Sequence, residues 1–537
     1  MSDNGWNFAD VWEVITDAQP DKPATVHGDR RSTWSEFDRR ADGVARALLD
    51  AGVERQDKVA QYLYNCPEYL ESAYASMKAG LVPVNTNYRY GDEELVYLWD
   101  NADAVAVMFH GVFTDRIEAI RGRVPKVRLW LWVDDGSGPC PAWAEPYEDA
   151  AKQETGRVSP PWGRTGDDLY MLYTGGTTGM PKGVMWRQDD LYVRFSQSIM
   201  HDPEQPDLEA VRTRIASASP LVGLPACPLM HGTGAFTSFQ TMFMGGAIAT
   251  LTSRHFDATE LLDTVERERV NTLAIVGDAF SRPMLAALDE FPEHWDISSL
   301  IMIVSSGVMW SEAVKQALLR HHPGMLLVDA FSSSEALGMG QSVSSAGGAA
   351  KTAKFVLGEH ARVFTEDGRE VEPGSGEMGR VAVRGRCPLG YYKDLEKSAR
   401  TFPVINGERY SVPGDYATVE ADGTLRLLGR GSVCINTGGE KVYPEEVEEV
   451  LKEHAAVRDA VVVGVPDERF GEAIVAWVEP SGTGDVDEAD VISHVKGRLA
   501  SYKAPRHILT TETIGRSPAG KVDYRRLRQE ATTRIGS

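Results

Sequence analysis

Apolar residues in the first part of the chain alternate between helical spacing and short continuous runs. Apolar side chains recur every three or four positions over residues 37–48, which predicts a helix. Residues 58–64, 81–85 and 104–110 are short apolar runs, which predict strands, and residues 67–79 form a further helix candidate between the first two. This alternation predicts parallel strands that are joined by helices.

The same alternation returns in the middle of the chain. Residues 259–269 have helical spacing and residues 272–276 form a strand-like run. Helix candidates then lead to apolar runs at 301–304 and 325–329. We therefore predict an α/β fold in which mostly parallel sheets are covered by helices.

The pattern changes twice towards the end of the chain. Short β-rich runs separated by Gly, Pro and Asp extend from about Lys354 to Leu428 and predict a smaller β-rich subdomain. An α+β pattern follows, in which Pro444 suits the first turn of a helix and residues 460–466 and 473–480 read as strands. These changes predict a large N-terminal domain, residues 1–429, and a small C-terminal domain, residues 430–537. Residues 134–141 and 342–350 are predicted to be flexible loops.

Composition narrows the functional classes. The 537 residues carry a net charge of −22, which disfavours nucleic acid and anionic membranes as partners. No basic leader and no apolar stretch long enough for a membrane span is visible, and the five cysteines form no Cys-x-x-Cys pair. We expect a cytoplasmic protein with reduced thiols. The sequence leaves the oligomeric state open, with a homo-oligomer as one option.

The strongest local motif is YTGGTTGMPKG, residues 173–183. Glycines allow backbone N–H groups to turn towards an anion, threonine hydroxyls add donors, and Lys182 adds a positive charge. The motif is not a Walker A loop, because Pro181 precedes Lys182 and Gly183 follows it. It predicts a cradle for a polyphosphate, and its residues are Thr174, Gly175, Gly176, Thr177, Thr178, Gly179 and Lys182.

This order of residues resembles the signature loop of the adenylate-forming superfamily, which contains acyl-CoA synthetases, adenylation domains and firefly-type luciferases. That family usually has Ser where this chain has Gly175. The resemblance covers nearly the whole chain. Residues 171–187, 410–417 and 428–448 are most similar to actinobacterial acyl-CoA synthetases of the fatty-acid and steroid-side-chain type.

The resemblance assigns an adenine and magnesium segment to DAFSSSE, residues 329–335. It implies that Phe331 stacks on adenine, that Ser334 contacts phosphate, and that Glu335 binds Mg²⁺, for which a carboxylate is a suitable ligand. The residues that the resemblance places along the nucleotide here are Asp329, Ala330, Phe331, Ser332 and Ser334, together with Ser306 and Gly307 of the segment SSGVM.

Two further segments are implied to hold the ribose and to catalyse adenylation. Asp415 in VPGDYA would accept hydrogen bonds from the ribose hydroxyls, and Arg430 in LGRG would also contact the ribose. Lys521 in SPAGKVD would pair with both the carboxylate and the α-phosphate, which offsets their repulsion. The catalytic residues implied by the resemblance are therefore Lys521, Glu335 and Lys182.

The resemblance also places the acyl and thiol sites. His231 would gate an apolar acyl pocket, and the substrate-binding residues are predicted as His231, Phe236, Gly277, Ser305, Gly307, Gly438 and Gly439. The glycines Gly438 and Gly439 would let the pantetheine arm pass the backbone. The C-terminal domain is implied to be mobile and to rotate about a hinge, where Ser432 and Val433 replace the usual Asp or Lys.

The function implied is an ATP-dependent acyl-CoA synthetase that uses ATP, Mg²⁺, coenzyme A and a small hydrophobic carboxylic acid, fatty or steroid-like. Its reaction runs through an acyl-adenylate and releases AMP and diphosphate. Three alternatives stay open at this point: a ligase that loads a carrier protein, a luciferase-like oxidation, and a non-catalytic protein that binds acyl-AMP. The joint presence of Lys182, Glu335 and Lys521 argues against the last.

Overall fold

The computed structural model describes residues 5–174, 180–197, 207–219, 221–308, 310–348, 350–437, 440–467, 471–482, 486–517 and 520–536. Within these ranges the helices are α1 Phe8–Ala18, α2 Trp34–Asp50, α3 Pro67–Lys78, α4 Asp92–Asn101, α5 Thr114–Ile120, α6 Tyr147–Ala151, α7 Gln188–Phe195, α8 Leu208–Ser217, α9 Gly232–Phe243, α10 Ala258–Glu268, α11 Asp278–Glu290, α12 Glu312–His321, α13 Leu395–Thr401, α14 Pro444–Lys452, α15 Glu488–Lys496 and α16 Tyr524–Ile535.

The strands are β1 Pro23–His27, β2 Arg30–Thr33, β3 Lys58–Tyr62, β4 Val82–Asn85, β5 Ala104–His110, β6 Leu129–Val133, β7 Glu145–Pro146, β8 Leu169–Thr174, β9 Lys182–Arg187, β10 Val222–Pro225, β11 Ala247–Thr250, β12 Thr272–Ile275, β13 Met302–Ser306, β14 Leu326–Phe331, β15 Gly340–Ser344, β16 Lys354–Leu357, β17 Ala361–Phe364, β18 Met378–Arg384, β19 Gly390–Tyr391, β20 Val404–Ile405, β21 Glu408–Ser411, β22 Asp415–Val419, β23 Thr424–Arg430, β24 Ile435–Thr437, β25 Glu440–Val442, β26 Val457–Asp467, β27 Gly471–Pro480 and β28 His507–Thr510.

These strands form three sheets, and the α/β prediction is confirmed. The first runs β2-β1-β11-β10-β12-β13-β14-β15-β16-β23-β22-β18-β21-β20, with β17 beside β18. The second runs β19-β9-β8-β4-β3-β5-β6-β7, and the third, which lies wholly after residue 434, runs β25-β24-β27-β26 with β28 beside β27. The neighbours from β1 and β11 to β13 and β14 pair in parallel, as the alternation predicted.

The β-rich segment after Lys354 does not form a separate sheet. Its strands extend the first sheet in antiparallel pairing through β15 and β16. The predicted flexible loop at 342–350 is therefore wrong in its first part, because residues 342–344 belong to β15 and pair with β14. Local Ser and Gly content favours a loop, but the unpaired edge of β14 recruits this segment as a strand.

Helices between the first two sheets provide the main apolar core. α3 packs on β3 and β4 of the second sheet, and α9 packs on β10 and β12 of the first. Trp12 of α1 joins the two layers, with ring centroids 5.1 Å from Tyr74 of α3 and 5.6 Å from Phe239 of α9. Because these aromatic side chains are fully buried, the two sheets are held at a fixed separation.

The third sheet carries its own apolar core and contacts the first sheet through α14. α14 packs on the hairpin strand β26 and also contacts β23 of the first sheet. Arg426 of β23 pairs with Glu446 of α14, at 3.4 Å between Nη2 and Oε1. No helix among the described residues combines the length and apolarity that a membrane span requires.

Candidate active site

A cleft of about 2790 Å³ opens at the carboxyl ends of β12, β13 and β14. Parallel pairing aligns Ser305 with Asp329 and Ser306 with Ala330. The Ser305 hydroxyl accepts a hydrogen bond from the Gly277 N–H at 2.9 Å, which ties the turn after β12 to β13. Since the carboxyl ends of parallel strands share one edge, this edge collects several predicted site residues: Gly277, Ser305, Ser306, Gly307, Asp329, Ala330 and Phe331.

Two of these side chains are buried in different environments. Asp329 is 3% exposed, and burial raises its pKa to about 7, although the nearby ammonium of Lys315 opposes this rise. Phe331 packs against Phe355, with ring centroids 5.4 Å apart. Beyond β14, the Ser332 hydroxyl accepts a hydrogen bond from the Gly338 N–H at 3.2 Å and fixes the turn that leads to Glu335. The segment predicted to bind adenine and magnesium therefore leaves the strand in a defined direction.

The predicted phosphate loop connects two paired strands. Thr174 ends β8, Lys182 begins β9, and the two residues pair with each other. Asn85 at the end of β4 accepts the Tyr173 N–H at 2.6 Å and donates to the Tyr173 carbonyl at 2.9 Å and to the Met230 carbonyl at 2.6 Å. One buried amide thus joins the base of the phosphate loop to the segment that precedes His231.

The Lys182 ammonium forms an ion pair with the Asp394 carboxylate. The other Asp394 oxygen accepts the Lys397 N–H at 3.0 Å and caps α13. The Lys182 ammonium lowers the pKa of Asp394 below its usual range, so this carboxylate is ionised near neutral pH. Asp394 lies 212 residues from Lys182, and no local spacing in the sequence pointed to this partner.

Glu335 is anchored at two atoms, and its second carboxylate oxygen has no hydrogen-bond partner among the residues that the structure describes. Its Oε1 accepts the Tyr391 hydroxyl at 2.7 Å, and its carbonyl accepts the Ser411 hydroxyl at 2.7 Å. The preceding carbonyl, of Ser334, accepts the Trp186 indole N–H at 2.9 Å. Burial, followed by the Glu335 charge, raises the pKa of Tyr391 above its usual range, so the hydroxyl remains a donor.

Asp415 and Arg430 face each other across the paired strands β22 and β23. Arg430 Nε donates to Asp415 Oδ1 at 3.2 Å. Asp415 is 5% exposed, and its Oδ2 has no hydrogen-bond partner within the described part of the chain. Burial raises the pKa of Asp415, and the Arg430 charge opposes this rise. A buried acceptor without a donor is what a pair of ligand hydroxyl groups would satisfy.

Lys521 reaches the same cleft on a turn of the C-terminal region. The Ser517 hydroxyl accepts the Lys521 N–H at 3.0 Å, and the Lys521 carbonyl accepts the Ser517 N–H at 2.8 Å. Gly520 has φ +68°, and a Cβ atom there would lie 2.8 Å from Val308 Cγ1 and 3.0 Å from Val276 Cγ1. The turn is therefore docked against the wall formed by the residues that follow β12 and β13.

Several charged or titratable groups lie close enough to the Lys521 ammonium to interact with it electrostatically. The Lys521 side chain is exposed to the cleft and surrounded by the cleft walls. The loss of bulk solvent around it lowers the pKa of Lys521, the Arg430 charge lowers it further, and the Glu335 charge opposes the change. Burial, followed by the positive charges of Lys521 and Arg89, lowers the pKa of His231 to about 3. Lys521 thus lies within electrostatic reach of Arg430, Glu335 and a neutral His231, and all four residues line one cleft.

An apolar groove continues from His231 between α9 and the first sheet. Thr272, Met302 and Leu326 lie side by side in register, and Ala274, Val304 and Val328 form the next row on the same face. Along α9, the residues that line the cleft are Phe236, Thr237, Gln240, Thr241 and Met244. The stretch from Gly232 to Met244 spans about 18 Å of helix, so the groove is long enough for an extended or polycyclic apolar group.

Some predicted residues lie outside the described ranges. These are Gly175, Gly176, Thr177, Thr178 and Gly179 of the phosphate loop, and Gly438 and Gly439 of the proposed thiol site. The other predicted site residues line this cleft or adjoin it. Sequence reasoning missed Asp394 and Tyr391, which lie together in the segment GYYKD, residues 390–394. The charge of Lys182 could have indicated that an acidic partner such as Asp394 exists, because a half-buried ammonium requires a counter-ion.

The chain is similar to known enzymes over nearly its whole length. Residues 12–392 match the family described as AMP-binding enzyme, and residues 446–521 match the AMP-binding enzyme C-terminal domain. A relative from Mycobacterium marinum, named medium/long-chain-fatty-acid–CoA/3-oxocholest-4-en-26-oate–CoA ligase, is 39% identical over 98% of this chain and 97% of its own length. A Rhodococcus rhodochrous relative, named 3-oxocholest-4-en-26-oate–CoA ligase, is 40% identical over 97% of this chain and 95% of its own length.

The same fold occurs in a solved structure. The anthranilate CoA ligase AuaEII, in complex with anthranoyl-AMP, superimposes with a TM-score of 0.84. The match covers 99% of this chain and 98% of that chain at 21% sequence identity, so it establishes the likeness of fold.

Proposed function

The chain belongs to the family of AMP-binding enzymes, and we propose that it is an ATP-dependent acyl-CoA synthetase. In the first half-reaction a carboxylate oxygen attacks the α-phosphorus of ATP, which forms an acyl-adenylate and releases diphosphate. In the second, the thiol sulfur of coenzyme A attacks the acyl carbon, loses its proton, and releases AMP. The names of the full-length relatives as CoA ligases support this reaction.

The observation that carries the first half-reaction is the position of Lys521. Its side chain lines the same cleft as Glu335, Arg430 and His231, and the charges of these groups interact with its ammonium. A carboxylate and a phosphate repel each other, and a cation between them offsets that repulsion and orients the attack. The cleft walls lower the pKa of Lys521, and two anions bound beside its ammonium would oppose this shift and favour the charged form.

The remaining roles follow from the chemistry of each group. The free oxygen of Asp415 and the guanidinium of Arg430 would hold the ribose, Phe331 would pack on the adenine, and Lys182 would bind phosphate oxygens. Neutral His231 would border the carboxylate end of the acyl groove without adding a positive charge that competes with Lys521. Residues 175–179 would supply the phosphate loop, and Gly438 and Gly439 the path of the thiol arm.

Glu335 is the protein ligand that fits Mg²⁺. Tyr391 occupies its Oε1, which leaves Oε2 as a hard oxygen donor. No cluster of three or more metal-binding side chains occurs among the residues that the structure describes, so the triphosphate oxygens would complete the coordination. When bound, the metal would neutralise charge on the phosphates. Glu335 would hold it in place, and Tyr391 and Ser411 would hold Glu335.

The acid is proposed to be hydrophobic and either fatty or steroid-like. The groove along α9 and the rows ending at Leu326 and Val328 are mostly apolar, which favours a long or polycyclic hydrocarbon body. Residues 430–537 would form a mobile domain that rotates to bring the thiol site into place, with residues 431–433 as the hinge. A cytoplasmic location is proposed because ATP and coenzyme A are used there and no disulfide joins the five cysteines, all of which are described.

A product assay tests this proposal. The protein is incubated with MgATP, coenzyme A and a panel of short, medium, long, aromatic and steroidal acids, and diphosphate release and thioesters are measured. We expect diphosphate and a CoA thioester with the long or steroidal acids. Diphosphate release without any thioester, but with loading of an added carrier protein, would instead support the carrier-loading alternative. No diphosphate with any acid would contradict adenylation.

A further inference from the structure

A short segment beyond the main site lies directly over the start of β9. In β19, Gly390 and Tyr391 pair antiparallel with Met185 and Val184. The chain then turns into α13, whose N-cap is Asp394. Since β9 begins at Lys182, this pairing fixes α13 beside the lysine of the phosphate loop.

α13 carries a second lysine on the side that faces the cleft. The Lys397 ammonium lies 4.7 Å from the centroid of the Tyr391 ring, and the hydroxyl of that ring donates to Glu335. Lys397 is half-buried and lines the cleft. It has no ion-pair partner within the described ranges. Burial lowers its pKa, the Lys182 charge lowers it further, and Glu335 and Asp394 oppose the change, so all three groups are electrostatic neighbours of Lys397.

The charge balance at this end of the cleft gives Lys397 a role. Lys182 and Asp394 form an ion pair and together contribute no net charge, while Glu335 adds a negative charge. A triphosphate that binds here gains from a cation beyond Lys182, because Asp394 already neutralises that lysine and the protein carries a total charge of −22. The Lys397 ammonium lines the same cleft and forms no ion pair with Glu335 or Asp394, so it can supply this additional positive charge.

We propose that Lys397 is a second phosphate-binding cation of the site, which contacts the terminal phosphates of ATP and stabilises the departing diphosphate. Asp394 positions both cations, because one oxygen pairs with Lys182 and the other caps the helix that carries Lys397. Tyr391 supports the Lys397 ammonium on its ring face. This inference rests on the proposed function, since it concerns the diphosphate formed in the first half-reaction.

The alternative is that Lys397 only packs on Tyr391. The test variant is Lys397→Met, which keeps an apolar side chain of similar length on the ring and removes the charge. The matched control is Lys393→Met on the same segment. The Lys393 ammonium pairs with Asp103 at 2.7 Å and is 43% exposed, so this control removes a lysine that is engaged away from the site.

Three quantities are measured for the wild type and for each of three variants, Lys397→Met, Lys397→Arg and Lys393→Met. They are the KM for MgATP in diphosphate release, the inhibition constant of added diphosphate, and the rate of thioester formation from supplied acyl-adenylate and coenzyme A. For Lys397→Met we expect both constants to rise about tenfold, with the thioester rate within about twofold of the wild type. Lys397→Arg should restore most of the affinity for diphosphate. Lys393→Met should leave all three values near those of the wild type.

The outcomes separate this inference from the proposed function. If the wild type forms thioesters but Lys397→Met retains the wild-type KM for MgATP and inhibition by diphosphate, Lys397 is a packing residue and the inference is wrong. An equal loss in the thioester step would also overturn it, because that step involves no diphosphate. If the wild type releases no diphosphate with any acid, the proposed function itself fails.

Discussion

The two halves of the cleft are built in different ways. On the N-terminal side, Ser305, Asp329 and Asp415 lie on strands of one continuous sheet and are 5% exposed or less. On the C-terminal side, Lys521 lies on a turn that meets the opposite wall through Gly520, Val276 and Val308. Groups that bind a nucleotide can be fixed in a sheet, whereas a group needed in only one half-reaction is better placed on an element that docks and leaves.

The largest expected effect comes from removing the charge on the docked side. Lys521→Met should lower the rate of adenylation about 10²–10³-fold, because one transition-state donor is lost. Thioester formation from supplied acyl-adenylate should fall far less. Diphosphate release and single-step thioester formation are measured side by side. The exposed Lys496→Met in α15 is the matched control, and an equal loss in both half-reactions of Lys521→Met would contradict the assigned role.

A smaller effect is expected from hindering the docking without touching the charge. Gly520→Ala places a methyl group against Val308 and forces a side chain into φ +68°. We expect adenylation to slow about tenfold, since such strain costs roughly 1–2 kcal/mol. Gly423→Ala is the control, because Gly423 has φ +79° but no atom within 4 Å of the added Cβ. If both variants lose adenylation equally, backbone strain alone is responsible and docking is not.

The apolar groove along α9 lies on the N-terminal side of the cleft, and we expect it to control the length of the acid that is accepted. Met302→Trp fills the row that Met302 shares with Thr272 and Leu326. We expect kcat/KM to fall about tenfold or more for long and steroidal acids, with little change for short ones, because only long groups reach this row. Met378→Trp, which makes the same exchange at an exposed position in β18, is the control. A uniform loss across acid lengths would contradict this groove.

The smallest effect concerns the boundary between the two halves. Glu445 lies against Gly429, its Oε2 has no partner within the described chain, and burial followed by Glu448 raises its pKa. The native state therefore binds more protons than the unfolded state, so stability should fall as pH rises above the ordinary Glu range. Between pH 5.5 and pH 8.5, the melting temperature of Glu445→Gln should therefore fall about 2–4 °C less than that of the wild type. An identical pH dependence in both proteins would contradict the assignment.

The sequence predicted site residues that lie in recognisable segments, but it did not predict contacts between distant segments. Gly277, Ser305 and Phe331 were assigned from the resemblance of their segments to the adenylate-forming superfamily, and each lies near the end of an apolar run that is visible in the sequence. The pairing of β15 with β14 was not predicted from the sequence. Ser342 and its neighbours favour a loop locally and form a strand only because they lie at the edge of a sheet. Asp394 was missed for a related reason, because its contact with Lys182 depends on how β19 pairs with β9.

The central claim is that the Lys521 ammonium acts at the reacting centre in the first half-reaction. The most direct test is a crystal structure of the full chain with a non-hydrolysable acyl-adenylate analogue. With the turn at Gly520 docked on Val276 and Val308, we expect Lys521 Nζ about 2.7–3.2 Å from an oxygen of the α-phosphate or its analogue. A docked turn whose Lys521 ammonium points away from the bound adenylate, beyond hydrogen-bond distance, would contradict the claim.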